Sequence, residues 1–181
     1  MVDLVALSPC AGLLPVEIGS CRLSEVEIQP LAVLSAFKGQ EGALAKAMET
    51  AHGIAVPQPG DVLEAGDARA IWFGLGQIML MGVTPDEKLA RYAAVTDQSD
   101  AWAMVRLEGD AVEDVLARLV GIDLRENGLH SPYTWRTYLV HMNVSLSRIA
   151  PKTYLILAFR SMAHTLVHDI TTAMEGVAAR G

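Results

Sequence analysis

The stretch VTDQSDAWAMVRLEGDAVEDVLARLVG, Val95 to Gly121, decides how this chain is read. From Trp102 to Glu108, Trp, Val and Leu are interleaved with polar Arg106 and Glu108, a pattern that favours a strand. Gly109 breaks the strand. Asp110 then stands where a helix N-cap belongs, and Glu113 three residues on completes a capping-box pair. Val112, Val115, Leu116 and Leu119 follow at helical spacing, and Gly121 occupies the position of a left-handed C-cap. No nucleophile, base or ligand stands at the strand–helix junction. The segment reads as scaffold.

Working outward, the second half begins at about Val95 and runs through several strands. Arg125 to Pro132 is expected to be a loop and Tyr133 to Val140 a strand. In Met142 to Arg148, Met142, Val144 and Leu146 alternate with Asn143, Ser145 and Ser147, which predicts a half-buried antiparallel strand. A charge at Val144 should then cost several kcal/mol, and one at Ser145 almost nothing. Ala150-Pro151-Lys152 turns the chain, and the apolar run Tyr154 to Phe159 predicts a central strand. Ser161 is placed to cap a last helix whose apolar face is Ala163, Leu166, Val167, Ile170 and Met174.

The first half carries similar signals. Residues 1–21 hold no period and are punctuated by Pro9, Gly12, Pro15 and Gly19, so they read as an irregular arm. Val26 to Phe37 is β-rich, and Gly39 to His52 predicts a helix stopped by Gly53. Ile54 to Gly66 reads as a loop. Ala70 to Phe73 and Gln77 to Met81 predict a hairpin around Gly74-Leu75-Gly76. Thr84-Pro85-Asp86-Glu87 resembles a capping box, with Pro at the first position of a short helix ending near Ala94. The expected class is α+β with antiparallel strands: an arm over 1–21, then α+β halves over 22–96 and 97–181, together one compact domain.

Composition narrows the function. Only 19% of the residues are charged and 51% are apolar, against about 25% charged in ordinary soluble domains. Lysine is confined to Lys38, Lys46, Lys88 and Lys152, while there are eight methionines. Protein interfaces show the same bias, toward Met and Arg and away from Lys. A face buried against a partner follows. The net charge of −7 offers no basic stripe for a nucleic-acid backbone. No apolar run reaches the ~18 residues of a membrane helix. The N-terminus lacks a basic leader, which predicts a cytoplasmic protein. Cys10 and Cys21 are expected to be reduced and structural.

The chemical candidates are thin. His164 and His168 lie one helical turn apart, but Thr165 stands where a zincin has Glu, and no third ligand has a suitable spacing. They read as an exposed or interface pair. Gly74 and Gly76 precede a strand rather than a helix, so they suit a hairpin and not a phosphate cradle. Ser99, Asp100 and His141 lack the glycines of a nucleophile elbow. Asn143-Val144-Ser145 fits the glycosylation pattern but falls on an expected cytosolic strand. Glu108, Asp110, Glu113 and Asp114 read as solvated face and helix cap. The sequence therefore assigns no catalytic, cofactor-binding or metal residue.

Several segments together resemble a known family. They are Ile71-Trp72-Phe73-Gly74, Asp97-Gln98-Ser99-Asp100-Ala101-Trp102, Asp110-Ala111 and Ile122-Asp123-Leu124. Further on come Arg136-Thr137 through Leu139-Val140-His141, and Phe159-Arg160-Ser161-Met162-Ala163. In order and spacing they resemble the gamma subunit of heterotetrameric sarcosine oxidase and, more distantly, the folate-binding module of glycine-cleavage aminomethyltransferases. The resemblance spans roughly residues 22 to 178. It implies two related α+β halves with exchanged strands, and a non-catalytic subunit docked chiefly on a large (alpha) subunit. It further implies oxidative demethylation of sarcosine or a similar N-methyl amino acid by the complex. FAD, FMN, NAD and tetrahydrofolate would sit on the partner subunits. The acidic residue with which aminomethyltransferases position folate has no match here. A stand-alone folate-binding, one-carbon-transferase-like module and a homo-oligomeric structural protein are the competing expectations.

Overall fold

The computed structural model describes residues 5–124 and 132–180. In chain order the first elements are β1 (Val16–Ile18), β2 (Cys21–Glu25), β3 (Leu31–Ala36), α1 (Glu41–His52), β4 (Val62–Ala65), β5 (Ala68–Gly74) and β6 (Gln77–Met81). A 3-10 turn (Glu87–Arg91) leads to β7 (Ala93–Asp97) and β8 (Trp102–Gly109). Then come α2 (Val112–Leu116), β9 (Tyr133–Leu139), β10 (Met142–Ala150), β11 (Thr153–Phe159) and α3 (Ala163–Ala178).

Two antiparallel sheets result, ordered β1-β2-β8-β11-β10-β9 and β4-β5-β6-β3-β7. The expected α+β class of two related halves is what the topology shows. The order β3-β6-β5-β4 in one sheet repeats as β8-β11-β10-β9 in the other. A helix follows the first strand of each set, α1 after β3 and α2 after β8. The strand preceding each set is exchanged: β2 pairs with β8, and β7 with β3. The β7 strand straddles the expected boundary at 96/97. The two sheets face each other across Leu31, Val62, Ile71, Phe73, Met79 and Met81 on one side, and Trp102, Met104, Leu155 and Leu157 on the other. The first sheet packs outward on α2 and α3, and the second on α1 and the 3-10 turn.

This four-layer arrangement explains the departures from the sequence expectations. Both faces of β10 are covered, so Ser145 and Ser147 are fully buried, as is Val144. The alternation is genuine, but the polar face looks into the second sheet and not into solvent. The expectation that a charge at Ser145 would be silent is corrected accordingly.

Local capping also differs. Asp110 makes no cap: it pairs with Lys152 at 2.6 Å, and Ala111 stands at the N-cap without a side-chain bond. Glu113 instead accepts from Arg148 and from the Tyr154 hydroxyl. The α2 helix ends at Leu116, well before Gly121. Asp86, rather than Thr84, caps the 3-10 turn by accepting from the Lys88 N–H, and β7 occupies the place of the expected helix end. Ser161 lies inside a 3-10 turn, and α3 begins without a side-chain cap.

Two expected irregular stretches contain strands, β1 in the arm and β4 within Ile54 to Gly66. The α1 helix, its left-handed stop at Gly53, the β5–β6 hairpin and the central position of β11 match the sequence. The expected Arg125 to Pro132 loop lies, but for Pro132, outside the described residues.

Candidate functional site

Four side chains from distant segments meet between the sheets. Trp102 opens β8 and lies opposite Phe159 at the end of β11. Their rings stack with centroids 4.8 Å apart and planes 24° apart. Phe73, from β5 of the other sheet, meets Trp102 edge-on at 5.2 Å. Arg136 on β9 lays its guanidinium 4.2 Å above the Phe73 ring and 5.8 Å from that of Trp102. A cation over an aromatic face is attracted by the ring quadrupole, more strongly as water is removed.

The strand register fixes this arrangement. Arg136 lies directly opposite Ser145 on β10, and Ser145 opposite Leu157 on β11. Cross-strand partners share a face. Leu157 belongs to the inter-sheet core, so Ser145 and Arg136 point between the sheets too. The next row on this face, Thr134 and Ser147, is satisfied internally: Ser147 Oγ donates to Thr134 Oγ1 at 2.8 Å, and Thr134 donates to the Leu146 carbonyl. The Arg136–Ser145 row is not. Arg136 Nη1, Ser145 Oγ and Trp102 Nε1 are buried without a hydrogen-bond partner among the described residues. Burial pushes the Arg136 guanidinium below its ordinary pKa.

The residues singled out in the sequence sit elsewhere. His164 and His168 are exposed on α3, and no group of three His, Cys, Asp or Glu among the described residues is placed to hold a metal. Gly74 and Gly76 flank the β5–β6 turn. Ser99 donates to Asp97 at 2.7 Å and binds the Leu31 N–H. His141 stands in the β9–β10 turn of the other sheet. The Ser99 bonds hold the Asp97 carboxyl below its usual range. Beside β3 and β7 opens a cleft of about 620 Å³, mainly apolar, with Asp86, Glu87 and Asp97 among its walls.

Cys10 and Cys21 are both free and buried. Burial, helped by the Glu25 carboxylate, pushes the Cys10 thiol from 9.0 up to about 12. A thiol that resists ionisation is a poor nucleophile. Native protein at pH 8 is therefore expected to react slowly with a disulfide reagent at Cys10, and unfolded protein quickly. The folded state holds the proton more tightly than the unfolded chain. This contribution to stability is intact below pH 9 and is lost as the pH rises toward 12. Chemical melts at pH 8 and pH 10.5 check it: the loss should be smaller in Cys10→Ala than in the wild type.

Phe73, Trp102, Arg136 and Phe159 each belong to a segment that resembles the sarcosine oxidase family, yet no spacing rule brings them together. Only the side-by-side order β8-β11-β10-β9 and the facing of the two sheets do. No family model and no curated protein matches the sequence. Among solved structures, the chain is similar to one in heterotetrameric sarcosine oxidase from Corynebacterium sp. U-96 in complex with pyrrole 2-carboxylate. The match has 23% identity, covers 96% of each chain and reaches a TM-score of 0.79. The chain thus has the fold of a component of a heterotetrameric sarcosine oxidase.

Proposed function

We propose that this chain is a non-catalytic, gamma-type subunit of a cytoplasmic heterotetrameric sarcosine oxidase. The observation that carries the reading is coextension: the likeness runs over 96% of both chains, so it involves the whole subunit and not a shared module. The ordered motif set and the low charge content support it. In this reading the complex oxidatively demethylates sarcosine or a similar N-methyl amino acid and passes the one-carbon unit to tetrahydrofolate. FAD, FMN, NAD and tetrahydrofolate reside on the partner subunits. The arm over 1–21 and the halves over 22–96 and 97–181 act as one docking body for the large subunit.

An affinity-tagged chain expressed in its native cells is expected to co-purify in fixed stoichiometry with a flavin-bearing large subunit. The complex should turn over sarcosine. The chain produced alone should be colourless and inactive toward sarcosine. A stoichiometric flavin spectrum on the isolated chain, or a tagged chain that carries no flavoprotein, would sink the proposal.

A further inference from the structure

We propose that the inter-sheet face at Arg136, Ser145 and Trp102 binds a small carboxylic acid through these three side chains. Of the four buried side-chain atoms left without a partner among the described residues, three belong to this one cluster. Trp102 is 4% exposed and Ser145 0%. An indole N–H and a guanidinium are donors only, and a hydroxyl can donate. What the cluster lacks is therefore an acceptor. A guanidinium without a counter-charge among the described residues favours an anionic one, because charge-assisted hydrogen bonds are the strong ones.

The rest of the fold shows that this shortage of acceptors is local. Arg148, on the same strand as Ser145, is as deeply buried as Trp102. Yet it donates to the Tyr154 hydroxyl, to the Glu113 carboxylate and to the Leu124 carbonyl. Two residues along β10, Ser147 is satisfied by Thr134. Buried polar groups are normally paired, and isolated exceptions point to an unfilled role. Access is at hand. Phe159 is 48% exposed and Tyr138 is also exposed, so one end of the inter-sheet face is open to solvent. The aromatic walls of Phe73, Trp102 and Phe159 suit a compact body with an apolar side, and the donors suit its carboxylate. Thr171 Oγ1, the remaining unpartnered atom among the described residues, lies apart on α3.

The site lies wholly within this chain, so it stands or falls separately from the subunit reading. The test uses the full chain alone, with acetate and benzoate as probes and benzamide as the neutral control. The ring N–H resonance of Trp102 is followed by NMR and assigned with Trp102→Phe. A saturable shift with at least one acid, and none with benzamide, is expected. Calorimetry should show binding roughly tenfold weaker in Ser145→Ala and in Trp102→Phe, which keeps the aromatic stack, and lost in Arg136→Met. Ser145→Ala removes only one hydroxyl, so its melting curve should match the wild type and keep the comparison valid. Failure of both acids to shift the resonance, an equal response to benzamide, or undiminished affinity in Ser145→Ala and Arg136→Met would overturn the proposal.

Discussion

Ser147→Asp is expected to destabilise the protein as severely as Val144→Asp, by about 3–5 kcal/mol each. The two positions lie on opposite faces of β10, and both are fully buried. Val144 packs with the helices outside the first sheet. Ser147 looks toward the second sheet, where its only described side-chain bond is to Thr134. Among the described residues neither position has a cation directly opposite it on the paired strands. A carboxylate in either place must be held unpaired or protonated, and both options cost several kcal/mol. Position 145 is a poorer probe of the same face, because an aspartate there would stand directly opposite the Arg136 guanidinium. Urea melts of the two variants decide the matter. A Ser147→Asp protein within 1 kcal/mol of wild type would mean that water reaches the inter-sheet face.

This result separates what period-2 alternation can reveal from what it cannot. In β10 the pattern Met142, Val144, Leu146 against Asn143, Ser145, Ser147 located an antiparallel strand correctly. It also divided the two faces correctly. It could not say what lies against the polar face, because that depends on a sheet formed by residues 31–97. Local signals fared well where the deciding interaction lies within a few residues. The glycine stop of α1 and the tight β5–β6 turn are of this kind. They fared poorly where a distant partner competes. Asp110 and Glu113 have the chemistry of a capping box, but Lys152 takes the first, and Arg148 and Tyr154 take the second. Asp110 stands one residue ahead of the N-cap position, which Ala111 takes, and Glu113 faces the buried Arg148 and Tyr154 instead of the helix start.

The candidate site was legible only as separate words. Trp102, Arg136 and Phe159 stand in quoted motifs, and Phe73 sits beside a hairpin glycine. A single sequence gives no measure of which strands lie side by side. The pairing of β8 with β11 and of β9 with β10 places three of these residues on one face, and the opposing sheet supplies the fourth. Ser145 was visible as the polar half of an alternation, but its lack of a partner is a property of the assembled fold alone.

Gly109→Ala is expected to cost roughly 3–5 kcal/mol, a fall in Tm of about 10 °C or more. The residue sits at the seam of the strand exchange. It pairs with Cys21 where β2, from the first half, joins β8. Its N–H donates to the Lys152 carbonyl at 3.1 Å, and the next N–H, of Asp110, donates to the Ser20 carbonyl at 3.2 Å. These bonds hold Gly109 at φ 131°, a conformation that L side chains rarely adopt, and a methyl group there would drive into the Ser20 carbonyl and the Cys21 backbone. Neither neighbour is the flexible end of a side chain, so relief requires moving the β1–β2 hairpin away from β8. Gly39→Ala is the control. Gly39 also has a positive φ, 79°, but nothing lies within 4 Å of the added carbon, so only backbone strain of about 1–2 kcal/mol is expected. The difference between the two melts isolates the close approach of the strands. Equal losses would show that the exchanged strand yields to a methyl group, and that the seam between the halves does not depend on glycine at this position.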